Sequence, residues 1–208
     1  MKYIIALFIL LSSCTSKIKE LENTEYRYQI SNSTNNNIDS LELSQEMDYF
    51  QPKIKWTFWS AENNKSYKFQ ETKNYEHNND YLRLSLPIGL YLDYTELLPP
   101  PQVNFPIKIG DSNFVKFELM SRSKPSKIIR DNELTGYYLV KDTIIYDDTG
   151  KFNEKCFVIE AYNFKFKNYK LTYYYSEKLG FLYFKYDFNK EHNSFEIKLN
   201  TIYEHFYE

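Results

Sequence analysis

Apolar and polar residues alternate along most of this chain with a period of two, the repeat of a strand with one buried face. Residues 53–59 place Ile54, Trp56 and Phe58 on one face, and Tyr81–Leu86 sets Leu82, Leu84 and Leu86 against Tyr81, Arg83 and Ser85. Pro87 and Gly89 then interrupt the pattern, as at a kink or a sheet edge. Further on, Tyr169, Leu171, Tyr173 and Tyr175 share one face, as do Leu182, Phe184, Tyr186 and Phe188. Between these runs Ser176–Gly180 supplies a short loop whose glycine can take a positive φ, so the pair predicts a hairpin. Residues 142–162 predict another hairpin turning near Asp147-Asp148-Thr149-Gly150, and Phe195, Ile197 and Leu199 mark a final strand. Leu41–Phe50 is less regular and reads as a short helix or turn that buries Leu41, Leu43, Met47 and Phe50. Pro99-Pro100-Pro101 reads as a stiff connector and a possible sub-boundary within one domain over 41–208. The expected fold class is mainly β: an antiparallel curved sheet or unclosed barrel with little helix.

Several strands carry aromatic residues on both faces, and the chain holds 21 Tyr and 16 Phe. A one-sided sheet would alternate more strictly with charge. The second face then meets a helix, a partner or a ligand, or it is a soluble surface rich in tyrosine. If a ligand binds there, Tyr173, Tyr175, Phe184 and Tyr186 are the candidate lining residues.

The N-terminus follows a different rule. Met1-Lys2 is a short positive start, Tyr3–Leu11 is apolar, and Ser12-Ser13 precede Cys14, the arrangement of a signal peptide over 1–13 that is too short to span a bilayer. An N-terminal core helix, or an ordinary signal with an incidental cysteine, is the alternative. Leu11-Ser12-Ser13-Cys14 resembles the lipobox of bacterial lipoproteins. That resemblance implies a diacylglycerol thioether on Cys14, cleavage before it, and a palmitate-type acyl group on the new amino end. Residues 14–40 then read as the lipidated cysteine and a polar tether, with Asn-Ser-Thr-Asn-Asn-Asn at 32–37. Within it Tyr26, Tyr28 and Ile30 alternate, leaving open a short strand packed on the domain. Residues 15–20 are not acidic, which favours an outer-membrane anchor facing the periplasm over display on the cell surface.

Past residue 13 the chain carries 25 basic against 28 acidic side chains, so nothing points to nucleic acid. With Cys14 acylated, Cys156 has no disulfide partner, and its apolar neighbours Phe157-Val158-Ile159 predict a buried, inert thiol. His77, His192 and His205 are isolated and no metal-ligand spacing occurs. Asp147 and Asp148 lack the rest of a calcium loop, and no nucleophile elbow or phosphate loop is present. No cofactor, no metal and no catalytic residue is expected, and the chain is read as a non-enzyme. Asp39-Ser40-Leu41 and Asp142-Thr143-Ile144 resemble a bacterial O-glycosylation tripeptide.

Phe105–Ser112, Gly150–Ala161 and Tyr173–Tyr186 together resemble a widespread domain of bacterial envelope proteins, over residues 100–203. Such domains are similar to the unclosed barrels of the lipoprotein-carrier type. The resemblance implies a curved sheet around an apolar hollow and maps no binding residue onto this chain. Three functions follow in order: a non-catalytic binding module for an apolar ligand or lipid, an assembly protein docking an envelope partner, and a hydrolase of envelope glycans or peptides.

Overall fold

The computed structural model describes residues 24–32, 38–47, 52–62, 65–86, 90–119, 133–148, 151–188 and 194–204. They form twelve strands: β1 (Thr24–Asn32), β2 (Ile38–Met47), β3 (Pro52–Glu62), β4 (Lys65–His77), β5 (Tyr81–Leu84), β6 (Gln102–Asn104), β7 (Ser112–Glu118), β8 (Glu133–Asp147), β9 (Asn153–Asn163), β10 (Lys170–Ser176), β11 (Gly180–Asp187) and β12 (Phe195–Glu204). A 3-10 turn over Leu90–Leu97 is the helical element among the described residues.

All twelve strands belong to one sheet in the order β6-β5-β4-β3-β2-β1-β12-β11-β10-β9-β8-β7, and every neighbouring pair is antiparallel. The order is an up-and-down meander that has been cut: β1 joins β12 in the middle, and the break falls between β6 and β7, which are consecutive along the chain. The expected mainly β, unclosed curved sheet is what forms. The buried residues of the predicted runs lie on its inner face, including Ile54, Trp56, Leu82, Leu84, Leu86, Leu182, Phe195, Ile197 and Leu199. Gly180 opens β11 at a φ of 80°, closing the predicted β10–β11 hairpin. In the β8–β9 hairpin Lys151 N donates to Asp148 O at 2.9 Å, while Thr149 and Gly150 lie outside the described residues.

Three expectations change. Within the supposed tether Thr24–Asn32 forms strand β1 and Ile38 opens β2. Tyr28 and Ile30 are buried while Arg27 and Gln29 are exposed, and β1 is hydrogen-bonded to β12 on one side and β2 on the other. The alternation of Tyr26, Tyr28 and Ile30 outweighs the polar residues around it, because each buried ring adds about 1.5–3 kcal/mol. Residues 41–47 belong to strand β2 and not to a helix or turn, with Leu43 buried opposite Trp56. Pro99–Pro101 connects the 3-10 turn to β6 without dividing the domain, since the sheet runs unbroken through β1 and β12. The signal segment, Cys14, His192 and His205 lie outside the described residues.

The proline connector lies against the inner face of β8, and Gly136 makes this approach possible. A Cβ built on Gly136 would stand 2.7 Å from Pro99 Cγ and would meet the Tyr162 carbonyl of the neighbouring strand. Gly136→Ala is therefore expected to lower stability by about 1–3 kcal/mol, the usual cost of overpacking. A chemical-denaturation midpoint unchanged from wild type would show that Pro99 is free to withdraw.

A groove at the open seam

Buried phenols draw the β6 end of the sheet inward. Tyr138 on β8 donates its hydroxyl to Pro100 O at 2.7 Å. The Tyr173 hydroxyl on β10 accepts from Gln102 N at 3.2 Å and donates to Gln102 O. Beside them Asn163 Nδ2 donates to Leu97 O at 2.5 Å. An edge strand presents unpaired N–H and C=O groups, and those of Gln102 are met by one hydroxyl, so this edge is closed inside the protein. Tyr28 and Trp56 are satisfied the same way, on Phe181 O at 3.1 Å and Ser85 O at 2.7 Å.

With β6 drawn inward and β7 remaining on the outer curve, a groove of about 550 Å³ opens between them. Asp80, Tyr81, Gln102, Val103 and Asn104 form one wall, and Ile107 with Asp111–Asn113 forms the other. Tyr138, Val140 and Ile159 lie at its base. Val140 and Ile159 face each other across β8 and β9, just before a bulge between Val140 and Asp142. The far wall is fixed by Gly110 at a φ of 89°, whose N–H bonds Val140 O at 2.8 Å, while Val140 N bonds Asp111 O at 2.9 Å. On the near rim Tyr81 OH donates to Glu76 Oε2 at 3.0 Å, and Arg83 Nη1 reaches the same oxygen at 3.0 Å. That hydrogen bond to the Glu76 carboxylate raises the Tyr81 pKa. The lining joins an apolar base to amides, hydroxyls and the two carboxylates of Asp80 and Asp111, and beside it the rim carries Arg83, bonded to Gln102 at 2.8 Å and to Glu76 at 3.0 Å. The size lies in the range of about 300–1,000 Å³ common for small-ligand sites.

The four lining candidates of the sequence analysis are brought together elsewhere, in the packed core. Tyr173, Phe184 and Tyr186 are at most 1% exposed and Tyr175 6%. Tyr173 stacks on Phe184 at 6.5 Å, Tyr175 meets Phe181 edge-on at 5.3 Å, and Tyr186 stacks on Phe195 at 4.9 Å. The hollow expected there is filled by neighbouring rings, because strands β1 and β3 deliver Tyr28 and Trp56 onto the same face. On the outer face the second set of aromatics packs on itself, with Tyr174 stacked on Tyr183 at 4.6 Å and Tyr146 edge-on to Tyr174 at 5.8 Å. Cys156 is fully buried and its burial pushes the thiol pKa up to about 11, the setting of an inert cysteine. Among the described residues no three His, Cys, Asp or Glu side chains come together in a metal-binding group.

No family model matches this chain, and no curated protein is similar to it. Among solved structures it is similar to a predicted exported protein with a YmcC-like fold from Bacteroides fragilis, at 12% identity over 88% of this chain and 96% of that one, with a TM-score of 0.44. It is similar to a predicted lipoprotein from Parabacteroides distasonis at 13% identity, covering 88% and 96% of the two chains, with a TM-score of 0.40. A β-barrel-like protein of a domain of unknown function from Brucella abortus gives 9% identity, 89% and 99% coverage, and a TM-score of 0.47.

Burial holds the Tyr138 and Tyr173 phenols neutral, well above the usual tyrosine range of about 10. The stability they contribute is complete below the unfolded pKa of about 10 and is lost as pH rises from there towards the folded values. Unfolding free energy is expected to stay level towards pH 10 and then fall, with a shallower fall in Tyr173→Phe. At neutral pH the same change should cost about 1–3 kcal/mol, because both Gln102 backbone groups lose their partner. Denaturation curves collected across this pH range check both statements.

Proposed function

We propose that this protein is a non-catalytic binding module of the bacterial envelope, anchored to a membrane through Cys14, whose site is the seam groove. The observation that carries the reading is the groove's composition: an apolar base of Val140 and Ile159 under a rim bearing Asp80, Asp111, Asn104 and Asn113. It suits a small amphipathic ligand with an apolar body and a neutral or cationic polar end. An anionic end would face the carboxylates of Asp80 and Asp111, while the rim cation Arg83 is already bonded to Glu76 and Gln102. The core aromatics take no part beyond fixing the walls.

The anchor rests on the lipobox-like Leu11-Ser12-Ser13-Cys14, and the reading places the protein on the outer membrane facing the periplasm. Each buried methylene contributes about 0.8 kcal/mol, so two or three acyl chains hold the chain at the bilayer. Strand β1 begins at Thr24, which leaves nine residues between the anchor and the sheet. The domain therefore rides close to the lipid surface.

Two measurements test these statements. Native mass spectrometry of the protein purified gently from its host should show a bound small molecule, and Val140→Trp, which fills the groove, should remove that added mass. An adduct that survives Val140→Trp places the ligand elsewhere and retires the groove as the site. Separately, Cys14→Ala should abolish the lipid-sized mass increment and move the protein to the soluble fraction. Retention in the membrane fraction without that increment would refute the anchor.

A further inference from the structure

The two ends of the sheet are finished in opposite ways. Edge β6 is short, buried and bonded by Tyr173, whereas edge β7 runs seven residues, Ser-Asn-Phe-Val-Lys-Phe-Glu, with no proline and no break in its pairing with β8. None of its side chains is fully buried. Proteins usually blunt an exposed edge with a bulge, a proline, repeated lysines or a cover; among the described residues Gly110 and Asp111 form a bulge opposite Val140 just before β7, and from Ser112 to Glu118 the strand has one lysine and none of the others.

The backbone shows which groups meet no partner strand among the described residues. Val140 N donates to Asp111 O and Val140 O accepts from Gly110 N, so 140 turns its backbone groups towards this strand. Alternation along the unbroken ladder makes 113, 115 and 117 the next bonded positions. The N–H and C=O groups of Ser112, Phe114, Lys116 and Glu118 then point away from β8. A row of stacked rings ends at the same edge. Tyr162 on β9 stacks on Tyr137 of β8 at 4.9 Å, Tyr137 lies 6.4 Å from Phe114 of β7, and Phe164 packs on both at 5.6 and 5.9 Å. Phe114 is 75% exposed, the outermost member of the row.

We propose that β7 is a self-pairing edge, on which a second copy of this chain adds its own β7 antiparallel to form a two-fold dimer. Strand β7 is charge-neutral, with Lys116 and Glu118 as its charged residues. Full overlap of the two strands sets the two-fold axis at Val115, opposite the partner's Val115. It places Phe114 against the partner's Lys116 and Ser112 against the partner's Glu118. No like charges stand opposite each other, and the lysine stem and ammonium cover the exposed ring, continuing the row across the interface. On the inner side, half-buried Val115 and Phe117 gain cover. Asn113, on the groove wall, comes to lie opposite the partner's Phe117, so pairing adds an aromatic to the groove's rim. Such an edge contact is smaller than a standard interface of about 1,600 Å², so the dimer dissociates on dilution.

The test uses the full-length chain in detergent. Sedimentation should show a reversible monomer–dimer equilibrium that Phe114→Lys, which sets like charges opposite each other twice, weakens about tenfold or more. Val115→Cys tests the register directly. At the two-fold axis two non-bonded positions have Cα atoms about 4.5 Å apart, within disulfide reach, so mild oxidation should give a covalent dimer. Phe117→Cys, facing the partner's Asn113, should not cross-link under the same conditions, and buried Cys156 supplies a silent background. A chain that stays monomeric to about millimolar concentration overturns the proposal. A dimer that ignores Phe114→Lys and gives no Val115→Cys cross-link overturns it as well. Should Phe114→Lys fail to fold, the cross-link alone decides.

Discussion

The hydrogen bonds from buried phenols to the backbone of residues 100–102 determine how this sheet ends. A twelve-stranded meander that curves on itself has two edges, and the simplest way to satisfy both is to pair them and close a barrel. Here Tyr138 and Tyr173 reach across the interior and bond Pro100 and Gln102 first. Each such bond contributes only about 0.5–1.5 kcal/mol net, but leaving the buried partner unbonded would cost more. The outward backbone groups of Gln102 on β6 are consequently satisfied by a side chain and have no remaining need for β7. The seam, the groove beside it and the open β7 edge all follow from that one preference.

Much of this was legible in the sequence. The period-two runs at 53–59, 169–175, 181–188 and 195–199 identify strands because a buried face every second residue has one common structural solution. Gly180 marks its hairpin because few other residues take a φ of 80° without strain. Strand β1 was harder. Its evidence for burial is three residues, Tyr26, Tyr28 and Ile30, next to the polar run at 32–37, and local composition cannot show that two neighbouring strands will pair with it. Strand β2 was ambiguous for a similar reason. Leu41 and Leu43 alternate, but Gln45 breaks the pattern before Met47, so the segment reads equally well as a turn.

The groove left almost no trace in the sequence. Its walls come from the β4–β5 turn, strand β6 and the loop before β7, and its base from β8 and β9. No spacing rule relates the walls to the base, Asp80 and Asp111 sit where turn chemistry alone would place them, and Asn104 and Asn113 are polar residues within strands β6 and β7. Choosing Tyr173, Tyr175, Phe184 and Tyr186 as lining residues assumed that inward-facing aromatics surround a hollow. Periodicity establishes that a side chain faces inward. It does not establish what meets it there, and here the rings of Tyr28, Trp56, Phe181 and Phe195 fill the space.

The clamp also explains why the binding site and the open edge lie side by side. Drawing β6 into the interior withdraws the strand that would have paired with β7, so the same displacement opens the groove beside Ser112 and Asn113 and leaves the outward backbone groups of β7 without a partner strand among the described residues. Counting around the antiparallel meander, β6 and β7 run in opposite directions, so direct closure was available to this topology. Burial of Gln102 and Val103 beneath Tyr138 and Tyr173 competes with that closure and prevails. Opening the seam thus requires no separate element. It is the consequence of placing two tyrosines on alternate strands, β8 and β10, at the depth where their hydroxyls meet an edge strand's unpaired backbone.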